Sequence, residues 1–447
     1  MHGGGLTVTA VSFPAIDPAE RQTTGHPGTI RAGRGVGALH HMTNQDRIKR
    51  RIERDKARKA EKRRPLIEQH GMFENVITMQ NLHRSLKHRR KEVEWKGSVQ
   101  RYIAHAPVRL KRTKDELLAG DKLSINRTIR RRKIYERGKA RDIHAIMIDA
   151  RVIQGCLCDS CITPLSQPTL IYDNPASTAG KGVSHARRRN KKFLLSEVRK
   201  HGTDLYAMSY DYTGYFKSIR HSVCRVKLTK IGLDDRLTNL TMEFIKMYLA
   251  QDFTFIRDRA ERDALMRRLA ADELEGATLG SQISQDMALL VPNGVDHAVK
   301  DRQHTKSYIR FMDDGIAYGT KSDMESLLDV VRSKSSEVCL NLNQKKTQIV
   351  KMTKGTTFLK VQYIVTRSRR IICKLAHDSV VRERRKLKKF RAMIDRGEMA
   401  LHDAYVSFKT WCGNVKRIAS TYRQRKRMLC LYNSLFHGYG LKGMRLS

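Results

Sequence analysis

Residues 308–318 read Tyr-Ile-Arg-Phe-Met-Asp-Asp-Gly-Ile-Ala-Tyr, and this stretch is the most informative one in the chain. Asp313 and Asp314 stand between two short apolar runs, and Gly315 follows directly as a turn signal. The pattern predicts a β-hairpin with an acidic tip. Adjacent like charges repel at short range, so the pair adds nothing to the stability of such a tip. Paired carboxylates become useful where divalent cations bind, because Mg²⁺ takes oxygen ligands and shares them with substrate phosphates.

An Asp-Asp-Gly turn alone is also common on solvent-facing hairpins, but a third carboxylate has a matching context upstream. Asp211 lies in Met-Ser-Tyr-Asp-Tyr-Thr-Gly-Tyr-Phe-Lys-Ser-Ile (208–219), directly after a short apolar stretch, and the aromatic Phe216 follows it. Between the two acidic segments, residues 279–285 read Leu-Gly-Ser-Gln-Ile-Ser-Gln, a Gly-Ser turn that opens a helix. The order strand, carboxylate, turn therefore occurs twice around one predicted helix.

These three segments, in this order, resemble the central motifs of bacterial reverse transcriptases. The resemblance extends over residues 80–420 and includes segments on both sides of the acidic motifs. The further segments are 135–141 (Tyr-Glu-Arg-Gly-Lys-Ala-Arg), 149–154, 172–182, 341–347 (Asn-Leu-Asn-Gln-Lys-Lys-Thr) and 357–363. It implies an α+β, right-hand polymerase fold with fingers, a palm whose antiparallel sheet is backed by helices, and an α-helical thumb.

The resemblance also implies the metal ligands and the proton donor. Asp211 and Asp313 are expected to bridge two Mg²⁺ ions, with Mn²⁺ as the alternative ion, and Asp314 is the flanking carboxylate. The backbone oxygen of Tyr212 is expected to complete the shell of the second ion. Lys346, with its neighbour Lys345 as the alternative, is expected to protonate the leaving pyrophosphate or to shield its charge.

Five further side chains are expected to contact the substrates. Phe216 resembles the steric gate of the family, whose ring crowds a ribonucleotide 2′-hydroxyl, with a plain core aromatic as the alternative. Lys139 and Arg141 fit the triphosphate contacts of the fingers, with ordinary surface charge as the alternative. Gln282 and Gln285 are expected to face the templating base pair or its backbone, and the alternative is a polar first helical turn.

The charge of the chain favours a nucleic-acid partner. Its 447 residues carry a formal net charge of +43, which is tolerated best when a polyanion neutralises it. The resemblance to reverse transcriptases implies that the partners are template RNA, the primer–cDNA duplex and dNTPs. No apolar run approaches 18 residues and no signal-peptide order is seen at the N-terminus, so we expect a cytoplasmic protein without membrane contact, encoded by a bacterium or a phage.

The cysteines predict core packing rather than a disulfide scaffold. The chain has eight, and three of them form a Cys-x-Cys-x-x-Cys cluster at positions 156, 158 and 161. That spacing suggests zinc, but no second pair of ligands stands nearby, and the cluster follows an apolar helical stretch. Small buried side chains are the favoured interpretation.

Composition and periodicity divide the chain into five segments. Residues 1–45 are expected to lack fixed structure, and residues 46–72 to form a basic helical arm along nucleic acid, with a solvated helix as the alternative. The dense basic run in this segment, Arg47–Arg64, is expected to stop at Pro65. Residues 73–205 are assigned to the fingers with the first part of the palm, 206–375 to the palm, and 376–447 to the thumb. We expect Pro292 to kink the helix after Ser284, and Asp378 to cap the first thumb helix.

The helix-opening motif indicates a subtype of reverse transcriptase, and two other functions are alternatives for this fold. Leu279 and Gln285 give a Leu-Gly-x-x-x-Ser-Gln pattern that resembles the enzymes of diversity-generating retroelements, which work beside a small basic accessory protein. Some phage-defence reverse transcriptases share it. An RNA-dependent RNA polymerase and a non-catalytic RNA-binding protein on a decayed palm are the remaining alternatives. Nothing after the predicted thumb offers carboxylates for an RNase H site.

Overall fold

The computed structural model describes residues 44–121, 129–136, 139–418 and 420–437. The described residues fall into two units, one that ends at Lys59 and one that begins at Ala60. The first unit contributes residues 44–59, which are helical. The predicted absence of fixed structure in residues 1–45 falls almost entirely outside the described residues.

The first part of the second unit is mainly helical and contains one hairpin. Its elements are α1 (Asn44–His70, which begins in the first unit), α2 (Phe73–Val76), α3 (Met79–Arg90), α4 (Gly97–Ala104), α5 (Ala106–Ala119), β1 (Ile129–Glu136), β2 (Lys139–Ile146), α6 (Ile148–Leu157), α7 (Thr163–Ser166) and α8 (Val183–His201). The strands β1 and β2 pair antiparallel over their whole length.

The central part alternates strands with helices. Its elements are β3 (Tyr206–Tyr210), α9 (His221–Ile231), α10 (Asp235–Phe253), α11 (Arg259–Ala270), α12 (Gln282–Leu290), α13 (Asn293–His297), β4 (Tyr308–Phe311), β5 (Asp314–Gly319), α14 (Lys321–Ser336) and β6 (Gln348–Lys351). The four strands form one antiparallel sheet in the order β4-β5-β3-β6.

The last part adds a small sheet and a helical end. Its elements are β7 (Thr356–Phe358), β8 (Val361–Val365), β9 (Ile371–Leu375), α15 (His377–Asp395), α16 (Leu401–Lys416) and α17 (Tyr422–Phe436). The three strands pair antiparallel in chain order. Together with the central sheet, this arrangement confirms the α+β class that the sequence predicts.

Both faces of the central sheet carry buried side chains, because alternate residues of β3, β4 and β5 enter different cores. Met208 and Tyr210 of β3 pack into the larger core with the helices of the first and central parts. Ala207 of β3 and Ile316 of β5 face the other way, toward α8 and the small sheet. A third core joins the helices α15, α16 and α17. The end of the sheet that carries the carboxylates is therefore held from two sides.

Three local predictions are wrong for identifiable reasons. Helix α1 continues through Pro65 to His70, because Leu66 and Ile67 pack against the larger core and favour the helix despite the lost N–H. The strand predicted from Phe358 to Val365 is broken at Leu359 and Lys360, which both have positive φ. Asp378 lies within the first turn of α15 rather than at its cap.

Candidate active site

The three carboxylates meet at one end of the central sheet. Asp211 follows the last residue of β3, and Asp313 and Asp314 lie at the junction of β4 and β5. The antiparallel register pairs Tyr210 with Gly315, so the next position along brings Asp211 opposite Asp314. Residues a hundred positions apart in sequence are thus brought together by strand pairing alone.

The electrostatics of these carboxyl groups show how close they lie. Burial raises the pKa of Asp313, and the charge of Asp211 raises it further, while the positive charges of Lys346 and Arg141 act in the opposite direction. Burial raises the pKa of Asp314 to about 7, and the charges of Asp313 and Asp211 add to this effect. The charge of Asp211 therefore destabilises the charged forms of Asp313 and Asp314, and the charge of Asp313 has the same effect on Asp314.

A lysine neutralises part of this charge. The Lys346 ammonium forms an ion pair with Asp211, and this contact is the main reason that the pKa of Lys346 is raised. The segment that carries it is fixed by backbone pairing, since the Asn343 N–H donates to the Asp211 carbonyl at 2.7 Å. Lys345, the alternative, donates its backbone N–H to the side chain of Asn343 at 3.1 Å. Of the two, the structure brings the Lys346 side chain to the carboxylates.

The donor set at this end of the sheet fits a divalent cation. Carboxylate oxygens are the ligands that Mg²⁺ prefers, and mutual repulsion between them is relieved when a cation binds. Among the described residues, no group of three or more His, Cys, Asp or Glu side chains is arranged to hold a metal ion. At the acidic cluster the Lys346 ammonium, a cation, is bound to Asp211 instead. The same finding gives no support to zinc at the cysteine cluster, whose three members are buried core residues.

Tyr212 and Phe216 lie in the turn that follows Asp211. The Tyr212 side chain is buried and its hydroxyl contacts the Ser335 hydroxyl at 3.1 Å, so only its backbone is available to a ligand. Its bridge to Leu342 uses the Thr213 N–H and the Asp211 carbonyl, not the Tyr212 carbonyl. Phe216 lies half-buried in a short 3₁₀ turn, with its ring edge against Tyr215.

The predicted contacts from the other elements are placed differently. Arg141 lies on β2, close enough to the acidic cluster for its charge to lower the pKa of Asp313. Lys139 begins β2, but its side chain lies outside the described residues. The Gln282 amide donates to Asp159 at 3.3 Å, within the protein. Gln285 is exposed on α12 and accepts from the Ser177 hydroxyl at 3.4 Å.

Glycines at two motif positions are required by close contacts. Gly280 has φ +100°, and a Cβ there would lie 3.1 Å from the Ile143 side chain of β2. The prediction that Gly315 forms the hairpin turn is wrong, because Gly315 lies inside β5 and the turn is formed by Met312 and Asp313. Met312 there has φ +57°. A Cβ on Gly315 would lie 2.1 Å from the Tyr210 ring, so glycine makes room for that ring.

Sequence reasoning missed one feature behind the carboxylates. Arg310 of β4 and Asp296 of α13 form a fully buried ion pair, with Nη2 and Oδ2 2.8 Å apart. The available signal was the position of Arg310 between Ile309 and Phe311, where a lone charge in an apolar strand needs a buried partner.

The comparisons with known proteins agree with this geometry. A search of curated proteins found no match to the chain. The family model described as reverse transcriptase (RNA-dependent DNA polymerase) matches residues 129–363, just over half of the chain. The match begins at β1 and ends in β8, so it includes all three carboxylates and Lys346. The chain therefore belongs to the reverse transcriptase family and is an RNA-directed DNA polymerase, a nucleotidyltransferase.

Proposed function

We propose that this polymerase makes cDNA by two-metal nucleotidyl transfer at the acidic end of its central sheet. The observation that carries the proposal is the meeting of Asp211, Asp313 and Asp314 at one end of the sheet, where burial and then the neighbouring negative charges raise the pKa values of Asp313 and Asp314. Asp211 and Asp313 would hold two Mg²⁺ ions as shared ligands, with Asp314 beside them and the Tyr212 carbonyl as a further ligand. When bound, the ions would stabilise the attacking and leaving oxygens of the in-line displacement.

The other side chains have separate roles in this proposal. Arg141 and Lys139 bind the triphosphate, and the charge of Arg141 already acts on Asp313. Lys346, whose ammonium pairs with Asp211 at the acidic cluster, would protonate the leaving pyrophosphate or shield its charge. The Phe216 ring stands one short turn beyond Asp211 and excludes a ribose 2′-hydroxyl. The exposed Gln285 contacts the template strand.

Exposed basic side chains on two elements support the binding of a template–primer duplex. The side chains of residues 130–133, Arg-Arg-Arg-Lys on β1, are all exposed, as are Arg384, Arg385, Lys388 and Lys389 on α15. We assign β1 and β2 to the fingers and α15–α17 to the thumb, with the central sheet as palm. The basic side chains of β1 and α15 would gain affinity for a template–primer duplex by releasing its counterions. Among the described residues, no helix is long and apolar enough to cross a bilayer.

For the biological role we propose a diversity-generating retroelement, supported by the Leu-Gly-x-x-x-Ser-Gln pattern at residues 279–285. In that role the enzyme copies a template RNA with errors at adenines, in the cytoplasm and beside a small basic accessory protein. The pattern leaves the structure of the opening turn intact, since Ser281 caps α12 by accepting from the Ser284 N–H.

The test is dNTP incorporation on a defined RNA template, followed by sequencing of the product. We expect wild type to extend the primer in Mg²⁺, Asp313→Ala to bind the same duplex without extending it, and mismatches to concentrate opposite template adenines. Equal incorporation by both proteins would remove the catalytic assignment. Evenly distributed errors, or product made without an external template, would refute the retroelement role and favour a defence enzyme.

A further inference from the structure

A buried arginine connects to the backbone directly behind the acidic hairpin. All five N–H groups of a guanidinium point in fixed directions, and those of Arg310 all have acceptors. Nε donates to Asp296 at 2.8 Å, and Nη2 donates to Asp296 at 2.8 Å and to the Leu289 carbonyl at 2.9 Å. Nη1 donates to the Met312 carbonyl at 2.9 Å and reaches the Ala288 carbonyl at 3.4 Å.

Two of these acceptors exist because of a proline. Pro292 has no N–H and cannot donate to the carbonyl four residues earlier, that of Ala288. Helix α12 ends at Leu290, and the chain starts a new helix at Asn293. The last carbonyls of α12 therefore accept hydrogen bonds from side chains. The Ala288 carbonyl accepts from the Tyr215 hydroxyl as well as from Arg310. The kink predicted at Pro292 is confirmed, and it supplies binding groups for Arg310.

The contact with Met312 reaches the acidic tip itself. Met312 has φ +57°, a conformation that is unfavourable for a residue with a side chain. Its carbonyl belongs to the peptide that joins it to Asp313. A hydrogen bond from Arg310 to that carbonyl therefore fixes the peptide plane from which the Asp313 side chain departs.

A second branch of the network reaches the other acidic segment. The Tyr308 hydroxyl donates to Asp296 at 2.7 Å, so it accepts from the Tyr210 hydroxyl, also at 2.7 Å. Tyr210 is the residue before Asp211, and its ring crosses Gly315, the residue after Asp314. Tyr210, Tyr308, Arg310 and Asp296 are all buried. One buried cluster thus contacts both chain segments that carry the carboxylates.

We infer that Arg310 and Asp296 are positioning residues, which fix the backbone from which the three carboxylates reach the two divalent cations proposed to bind there. The inference rests on the proposed metal-binding role of Asp211, Asp313 and Asp314. A buried ion pair is poor evidence for added stability, because desolvation opposes its attraction. Its complete set of hydrogen bonds, directed at the catalytic turn, is instead what a precise and rigid site needs.

The test compares Arg310→Lys with a matched control. Lysine keeps the positive charge beside Asp296 but has three donors on one nitrogen, so it cannot satisfy Asp296, Met312 and the end of α12 together. The control is Arg225→Lys, which alters a partly exposed arginine of α9 that pairs with Asp272 and Asn239. If Arg310→Lys does not fold, Tyr308→Phe removes one hydroxyl of the network and is measured in its place.

Two readouts separate this inference from the proposed function. The first is Mn²⁺ binding to the protein without nucleic acid, measured by electron paramagnetic resonance. The second is primer extension, with kcat, the KM for dNTP and the Mg²⁺ concentration for half-maximal rate determined separately. We expect Arg310→Lys to weaken Mn²⁺ binding and lower kcat by about 10- to 100-fold, as for other residues that orient metal ligands, with KM little changed. Arg225→Lys should match wild type in both.

The inference would be overturned if folded Arg310→Lys kept both its Mn²⁺ affinity and its kcat within twofold of wild type. The same result in Tyr308→Phe would overturn it if Arg310→Lys does not fold. An equal loss in Arg225→Lys would also overturn it, because the effect would then be general destabilisation. If wild type binds Mn²⁺ but does not extend a primer, the proposed function fails, and the Mn²⁺ comparison still decides the role of Arg310.

Discussion

Replacing Asp286 with asparagine should change how the stability of this protein depends on pH. Asp286 lies on α12, its side chain is 7% exposed, and its Oδ2 has no hydrogen-bond partner among the described atoms. Burial raises the pKa of its carboxyl to about 7, and the charge of Asp159 adds to this effect. The carboxyl is therefore protonated in the folded protein under conditions where it is ionised in the unfolded chain.

The sign and size of the effect follow from this difference. An unfolded aspartate has a pKa near 3.9, so the folded-state value is raised. The stability that the protonated carboxyl contributes is complete below about pH 4 and is lost as the pH rises through about 7. A shift of about three pKa units corresponds to about 4 kcal/mol in full, of which about 3 kcal/mol falls between pH 5 and pH 8. Asparagine has a similar shape and does not titrate.

The assay is urea unfolding of wild type and Asp286→Asn at pH 5 and pH 8. We expect the difference between their unfolding free energies to move by about 3 kcal/mol in favour of Asp286→Asn at pH 8. A constant offset from the new amide does not affect that change. Asp329→Asn, which alters a carboxylate that is 76% exposed, is the control and should leave the pH dependence as in wild type. Parallel pH profiles for wild type and Asp286→Asn would refute the reasoning.

Three further predictions concern the proposed site and its duplex. Phe216→Val should raise incorporation of ribonucleotides relative to deoxynucleotides by about tenfold or more, measured as the ratio of kcat/KM values. An unchanged ratio would mean that Phe216 is a core aromatic without a role in substrate selection. Lys346→Met should lower the single-turnover rate by about 10²–10⁴-fold, whereas Lys345→Met should not, and the reverse order would move the role to Lys345. Arg385→Ala should weaken template–primer binding at every sequence and reduce the salt slope by about one, and an unchanged slope would place α15 away from the duplex.

The sequence predicts this site because its signals are local. A carboxylate directly after an apolar strand marks Asp211, and the adjacent pair marks the hairpin that pairs with that strand. Helix periodicity likewise predicts α6 within its observed bounds, Ile148–Leu157, since an apolar face is visible in any single helix. Strand pairing then brings the three carboxylates together.

The remaining features depend on contacts that no local pattern contains. Gly315 reads as a turn residue, and only the position of the Tyr210 ring shows that it is needed inside a strand. The partner of Arg310 lies on a separate helix beyond a kink, and the buried state of Asp286 depends on residues near position 158. Helix α17 begins with a run of basic residues, so the sequence alone does not show which of its faces is apolar. Met428 and Tyr432 identify that face, because they pack into the third core.

The central claim is that three carboxylates carry the chemistry while the basic surface carries the binding. The most direct measurement is single-turnover extension of an RNA-templated primer by wild type, Asp211→Asn, Asp313→Asn and Asp314→Asn, with duplex affinity measured in parallel. We predict that Asp211→Asn and Asp313→Asn lower the rate by about 10³-fold or more, since the ions of the proposed mechanism would supply several kcal/mol of charge stabilisation, while affinity stays within a few-fold of wild type. Extension at the wild-type rate by either variant would contradict the account.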